Sequence, residues 1–278
     1  MSNTTIQCGP YTLDYEKKTI VMGILNATPD SFSDGGKYSH QDLAVKHAIE
    51  MVENGADIID VGGESTRPGF DPVPADEELK RVLPVIEAIS KEVDVPISID
   101  TYKADVARQA VEAGAHIIND VWGAKADPEM ASTAAETGVP IILMHNRKNM
   151  EYTSFFRDVM NDLYESIALV KSAGVTDENI ILDPGIGFAK DLNYNLEMMR
   201  DLDKLVAVGY PVLLGTSKKR MIGTILDLPV EERTEGTGAT VCYGIQKGCQ
   251  MIRIHDVKEM SRMARMMDAL MGKGEYDG

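Results

Sequence analysis

"PISIDTYKADVARQAVEAGAHIIND", residues 96–120, reads as strand, helix, strand. A short apolar run ends on Asp100. The stretch 103–113 then carries apolar residues at helical spacing. A second apolar run, "HIIND", ends on Asn119 and Asp120. Short runs rich in Ile and Val fit strands buried on both faces of a parallel sheet. The same unit recurs along the chain: "TIVMGIL" (19–25), "DIIDVGG" (57–63), "PISID" (96–100), "HIIND" (116–120), "PIILMH" (140–145), "NIILDPG" (179–185), "PVLLGTS" (211–217) and "MIRIHD" (251–256). Their starts lie roughly 20–40 residues apart, which suits βα units of about 30 residues.

Eight such units predict an α/β chain closed into a single (β/α)8 barrel. An open doubly wound sheet would carry a glycine-rich G-x-G-x-x-G turn after its first strand, and none is present. The intervening stretches read as helices. Residues 41–54 place Leu43, Val45, Ala48, Ile49 and Val52 on one stripe before Gly55. Asp127–Pro128 reads as an N-cap with proline at the first helical position. Residues 193–208 form one periodic segment, and Pro84 within 77–91 predicts a kink or a late start. The Gly9–Pro10 turn inside 6–15 predicts a small hairpin at the N-terminal mouth. A Met-rich amphipathic helix over 258–271 is expected to pack on the barrel or on a twin subunit. The expected domain is 1–278, with the hairpin in 1–18 and a frayed tail in 273–278.

The net charge is −16 and the pI near 4.7. Such a field repels nucleic acid and anionic membrane, so any anion site must be built from a few placed cations. Cys8, Cys242 and Cys249 have no metal-ligand spacing and read as reduced thiols of a cytoplasmic protein. No signal peptide or transmembrane run is expected.

In a barrel of this kind, chemistry gathers at the C-terminal strand ends. There the sequence places Asn26; Glu64, Ser65, Thr66 and Arg67; Asp100; Asn119 and Asp120; Met144, His145 and Asn146; Asp183; Ser217, Lys218 and Lys219; and Arg253, His255 and Asp256. A lone buried acid is commonly a helix cap or a lysine partner. Asp100, Asn119 and Asp183 together favour a ligand with a hydrogen-bonding edge, such as an aminopyrimidinone. Lys219 can serve its carbonyl oxygen or a ring nitrogen. Arg67, Arg253 and His255 are cations suited to phosphate oxygens. The polar run "ILNATPDSFSDGG" (24–36) is too long for a plain turn; it is either a solvated loop or a mobile cover over something small and charged. "ESTRPG" (64–69) makes a second such loop. Asn26 and Asp34 offer hard oxygens suited to Mg2+.

Six motifs, "ILNATPDSFSDGG", "GADIIDVGGESTRPG", "SIDTYKADVARQAVEAGAHIINDV", "ILDPGIGF", "LLGTSKKRMIG" and "RIHDV", together resemble the dihydropteroate synthase family over about residues 20–257. The resemblance implies a pterin-binding barrel that joins 6-hydroxymethyl-7,8-dihydropterin pyrophosphate to p-aminobenzoate, giving 7,8-dihydropteroate and pyrophosphate. That is a transfer of an alkyl group in folate biosynthesis. It implies that Asp100, Asn119, Asp183 and Lys219 hold the pterin, with Met144 against it. Asn26, Thr66, Arg67, Arg253 and His255 would hold the pyrophosphate, and Asn26 and Asp34 the Mg2+. Thr66, Arg67, Pro68, Phe188, Ser217 and Lys219 would frame the p-aminobenzoate pocket. Asp100, Lys219, Arg67 and Asp34 would carry the chemistry. It also implies a homodimer and a sulfonamide target. The family's usual Ser-Arg-Lys followed by a small residue here reads Ser217-Lys218-Lys219-Arg220, which bears on the p-aminobenzoate pocket and not on the pterin residues. A methyltetrahydrofolate methyltransferase would share the heterocycle residues but needs no phosphate-covering loops. A non-catalytic pterin-binding paralogue would be expected to lose Asn26, Lys219 or Arg253.

Overall fold

The computed structural model describes residues 4–28, 40–64 and 72–274. The expected loop covers, and with them Asp34, Thr66, Arg67 and Pro68, lie outside the described residues, as does the tail from 275.

The chain opens with the expected hairpin, β1 (Thr5–Cys8) and β2 (Tyr11–Asp14), turned at Gly9 with φ +59°. Eight parallel strands follow: β3 (Ile20–Asn26), β4 (Ile58–Gly62), β5 (Ile97–Asp100), β6 (Ile117–Asp120), β7 (Ile141–Met144), β8 (Ile180–Asp183), β9 (Leu213–Leu214) and β10 (Met251–Ile254). They pair in the order β8-β7-β6-β5-β4-β3-β10-β9. A bridge between Leu182 and Val212 joins β8 to the start of β9, so the sheet returns on itself. The helices between strands are α1 (His40–Glu53), α2 (Ala75–Ile89), α3 (Ala104–Glu112), α4 (Met130–Thr137), α5 (Phe155–Ala173), α6 (Leu192–Arg200), α7 (Leu202–Val206), α8 (Arg220–Leu226), α9 (Thr234–Gln246) and α10 (Val257–Leu270).

Two cores result from the two-residue period of the strands. Outward residues such as Val21, Ile59, Ile97, Ile99, Ile118, Ile141 and Leu182 pack against the helices. Inward residues Ile20, Met22, Ile58, Ile117, Ile142, Ile181, Leu213 and Met251 fill the barrel's lower half, and Ile6, Cys8, Leu13 and Tyr15 of the hairpin close its floor. One step further along the same inward faces, the apolar filling gives way to polar groups. The floor is therefore a packed plug, and the upper half is left for chemistry.

The structure corrects several sequence expectations. β9 is only Leu213–Leu214; just before it, the Val212 N–H donates to the Gln250 side-chain oxygen at 2.8 Å. The segment 193–208 is two helices, α6 and α7, meeting at Asp201. α2 starts directly after Pro74 and runs through Pro84, held by buried Val82, Val85, Ile86 and Ile89. Asp127 does not cap α4. Its Oδ1 accepts the Glu129 N–H at 3.0 Å in the preceding turn, while Oδ2 accepts the Ala104 N–H of α3 at 2.9 Å.

Candidate active site

The inward rows of β4, β5, β6, β8 and β10 end in Asp60, Asp100, Asn119, Asp183 and Arg253, converging on the upper barrel. Register makes this unavoidable: Asp60 faces Ser98, Gly62 faces Asp100, Asp100 faces Asn119, and Met144 faces Asp183. Gly62 carries no side chain above Asp60, which leaves room beside the Asp100 carboxylate, whose Oδ2 lies 3.8 Å from where a Cβ would stand.

Arg253 is the hub. Its Nε donates to Asp60 Oδ2 and its terminal nitrogen to Asp100 Oδ2, each at 2.6 Å. Asn119 Nδ2 donates to the same Asp60 oxygen at 3.2 Å. Burial works against the guanidinium charge, but Asp60 and Asp100 outweigh it and raise the Arg253 pKa. Burial pushes the Asp100 carboxyl up to about 7 against the pull of Arg253, with the Asp60 charge adding to the rise. Asp60 Oδ1 and Asp100 Oδ1 are buried and have no hydrogen-bond partner. Buried acceptors are nearly always satisfied in folded proteins, so two orphans in one place mark a surface built to accept N–H groups.

Asp183 lies across the barrel. Its Oδ1 accepts the Gly185 N–H at 2.7 Å. Burial raises its pKa, while Lys219 and that N–H oppose the rise. Lys219 Nζ donates to the Ile186 carbonyl and stands 4.9 Å from the centre of the Phe188 ring. Burial pushes the Lys219 amine down to about 8, with the Asp183 charge holding it up. Met144 is buried beside Asp183. Asp183, Arg253 and Asp100 thus lie close enough for their charges to act on Lys219, which also meets the Phe188 ring.

A second group sits towards β3 and β10. Ser217 Oγ accepts the His255 backbone N–H at 3.0 Å and lies 2.8 Å from His255 Nδ1. Ser217 is 6% exposed and held on the His255 side. Asn26 ends β3 with its side chain exposed, on the strand next to β10.

Sequence reasoning missed Asp60 as a site residue. It lay inside "DIIDVGG", on the same strand face as Ile58 and Gly62, and that parity was the available signal. It also gave no role to His145, whose ring is fully buried, or to Lys190.

The rim combines unsatisfied acid acceptors, a buried amide and a half-buried amine, groups suited to a flat heterocycle rich in N–H groups. The chain belongs to the pterin binding enzyme family, whose model matches residues 22–255. Among curated relatives it is 62% identical to the dihydropteroate synthase of Bacillus subtilis, over 97% of this chain and 94% of that one. A crystal structure of the dihydropteroate synthase of Clostridium difficile, determined in the presence of pteroic acid, superposes with a TM-score of 0.90 at 49% identity, covering 93% of this chain and 98% of the other. The Xanthomonas albilineans dihydropteroate synthase with 4-aminobenzoic acid matches at a TM-score of 0.92 and 38% identity, covering 98% and 99%.

Proposed function

We propose that this chain is a dihydropteroate synthase, joining 6-hydroxymethyl-7,8-dihydropterin pyrophosphate to p-aminobenzoate with release of pyrophosphate. The observation that carries this reading is the pair of orphaned carboxylate oxygens beside Asn119, facing Asp183 and Lys219 across one chamber. A pterin presents ring and exocyclic N–H donors along one edge, which Asp183 and Asn119 accept. Its carbonyl side meets Lys219. Met144 packs against its plane.

The exocyclic C–O bond breaks first, in an S_N1-like step. Asp100 Oδ1 faces the cation that forms on the pterin methylene and shares its charge with the ring. The Asp100–Arg253 pair keeps that carboxylate oriented. Arg67, Thr66, Arg253, His255 and Asn26 hold the departing diphosphate. The arylamine nitrogen then bonds to the methylene carbon from a pocket framed by Pro68, Phe188, Lys219 and Ser217, and the proton it sheds passes to the released diphosphate. No enzyme nucleophile takes part. Asn26 with a hard amide oxygen and Asp34 with a carboxylate would hold a magnesium ion. When bound it would supply charge neutralisation to the leaving group.

The exposed apolar side chains of α8 to α10 support a homodimer. The free cysteines Cys8, Cys242 and Cys249 support a cytoplasmic setting. Among the described residues, no helix is long and apolar enough to cross a membrane.

The test is release of pyrophosphate by the purified chain with both substrates and magnesium. Release that requires p-aminobenzoate supports the reading. Absence of release, with pterin pyrophosphate still bound by calorimetry, would instead point to a non-catalytic pterin-binding barrel.

A further inference from the structure

The loop after β8 carries three left-handed residues in alternation: Gly185 (φ +66°), Gly187 (φ +86°) and Ala189 (φ +45°). A non-glycine residue there costs roughly 1–2 kcal/mol. Such a backbone keeps its shape only where its surroundings over-determine it. Here they do. Lys190, 7% exposed, donates from Nζ to the Gly185 carbonyl at 3.0 Å and the Phe188 carbonyl at 3.1 Å. Its third contact is His145 Nδ1 at 2.7 Å. The Tyr152 hydroxyl donates to the Ala189 carbonyl at 2.8 Å, and Asn195 Oδ1 accepts the Gly187 N–H at 2.6 Å.

The proton positions follow from the far end of this chain. His145 Nε2 lies 2.9 Å from Asp162 Oδ2, and Arg147 Nε donates to the same oxygen at 2.5 Å. Burial would raise the Asp162 pKa, but the hydrogen bonds from His145 and Arg147 win and hold it far below the usual carboxylate range. Burial pushes His145 down to about 4, so its ring is neutral. A neutral ring facing a carboxylate carries its hydrogen on Nε2. Nδ1 therefore offers a lone pair to Lys190. Three acceptors then surround three ammonium hydrogens. Burial pushes this amine down to about 7, with Asp183 and Asp162 holding it up and Lys219 and Arg147 pressing it down. Three acceptors around Nζ suit the ammonium, the form that dominates below about 7.

We infer that Lys190 is a positioning residue: its ammonium, oriented through His145 and Asp162, sets the loop 184–190 that presents the Phe188 ring and the Ile186 carbonyl to Lys219. The loop's carbonyls are thus held by two lysines, Ile186 by half-buried Lys219 and Gly185 and Phe188 by buried Lys190. This inference rests on the proposed function for its kinetic readout, since the arylamine pocket is framed by Phe188 and Lys219.

The experiment compares wild type with Lys190→Met, which keeps the stem and removes the donors. Wild-type turnover tests the proposed function by itself; the comparison tests Lys190. A misplaced loop is expected to lower kcat/KM for p-aminobenzoate on the order of a hundredfold. Diphosphate affinity measured by calorimetry stays unchanged, because Asn26 and His255 lie on other strands. Retention of kcat/KM within about twofold overturns the inference, and so does parallel loss of diphosphate affinity, which marks a merely structural lysine. If Lys190→Met does not fold, Asp162→Asn decides. It lets His145 carry its hydrogen on Nδ1, against the ammonium, and is expected to raise the p-aminobenzoate KM. Nitrogen-15 spectra of His145 read the tautomer directly, and a wild-type ring found with its hydrogen on Nδ1 overturns the inference.

Discussion

Asp60 and Asp100 stand on adjacent strands and share one guanidinium, so the two acids and Arg253 carry a net negative charge at the barrel's centre. That suits a cation arising beside them and costs stability when nothing is bound. Asp100 is the member whose protonation state is in reach of ordinary pH. Below about 7 it is protonated and cannot share the pterin cation's charge; above, it is ionised. kcat/KM for the pterin substrate is therefore expected to rise with pH through about 7. Asp100→Asn should remove that limb and lower the plateau. A limb that persists in Asp100→Asn assigns it to another group. Asp183 has the complementary task of accepting from the ring. Truncating one partner of a buried, charge-assisted contact costs roughly 2–5 kcal/mol, so Asp183→Ala is expected to weaken pterin binding at least thirtyfold or so, read by calorimetry. Near-normal affinity would remove Asp183 from the pocket. Asn26, exposed at the end of β3 and assigned to the diphosphate, should matter little in a titration with a pterin that lacks the diphosphate.

The loop from Pro184 to Lys190 shows how one element fixes several site groups at once. Gly185 is its tightest point. A Cβ there would stand 2.0 Å from the His145 carbonyl oxygen, and φ is +66°. Gly185→Ala is expected to destabilise the fold by roughly 3 kcal/mol. At about 2–4 °C per kcal/mol for a chain of this size, the melting midpoint should fall by roughly 6–12 °C. A midpoint within about a degree of wild type would mean the loop can relax and is not the rigid cradle described here. Much at this scale was legible beforehand. Strands showed as short Ile- and Val-rich runs because parallel strands are buried on both faces, and the polar residue closing each run marked the rim. What stayed hidden was non-local. The Val212 N–H that leads into β9 is taken by a side chain 38 positions away, Gln250. Asp60 finds its partner 193 positions away, and Lys190 meets His145 45 positions away. Local pattern reveals which face a residue takes, not what awaits it there. The roles expected of Asp34, Thr66, Arg67 and Pro68 fall on residues beyond the described ones.

For the whole molecule the open question is association. α8, α9 and α10 pack side by side: Gly236 brings α9 against Ile222 and Leu226, and Gly238 brings it against Met263. Their outer faces expose Ile225, Leu226, Tyr243, Met266 and Leu270, the last two 58% and 68% exposed. Scattered exposed apolar groups are ordinary, but several on three neighbouring helices make a face suited to a second copy. Two copies each carry a charge of −16. Their repulsion is long-ranged at low salt and largely screened at about 0.15 M, where the Debye length is about 8 Å. The dimer is thus expected to tighten as salt rises, opposite to an association held by ion pairs. Sedimentation velocity across a salt series reads this directly. Met266→Glu with Leu270→Glu should give a monomer, with Tm close to wild type because both side chains face outward. Turnover per subunit should persist, since every described site residue belongs to one barrel. A wild type that stays monomeric at every salt concentration would sink the dimer. A double variant that still dimerises would move the interface off α10 and leave that helix's methionines to their packing role alone.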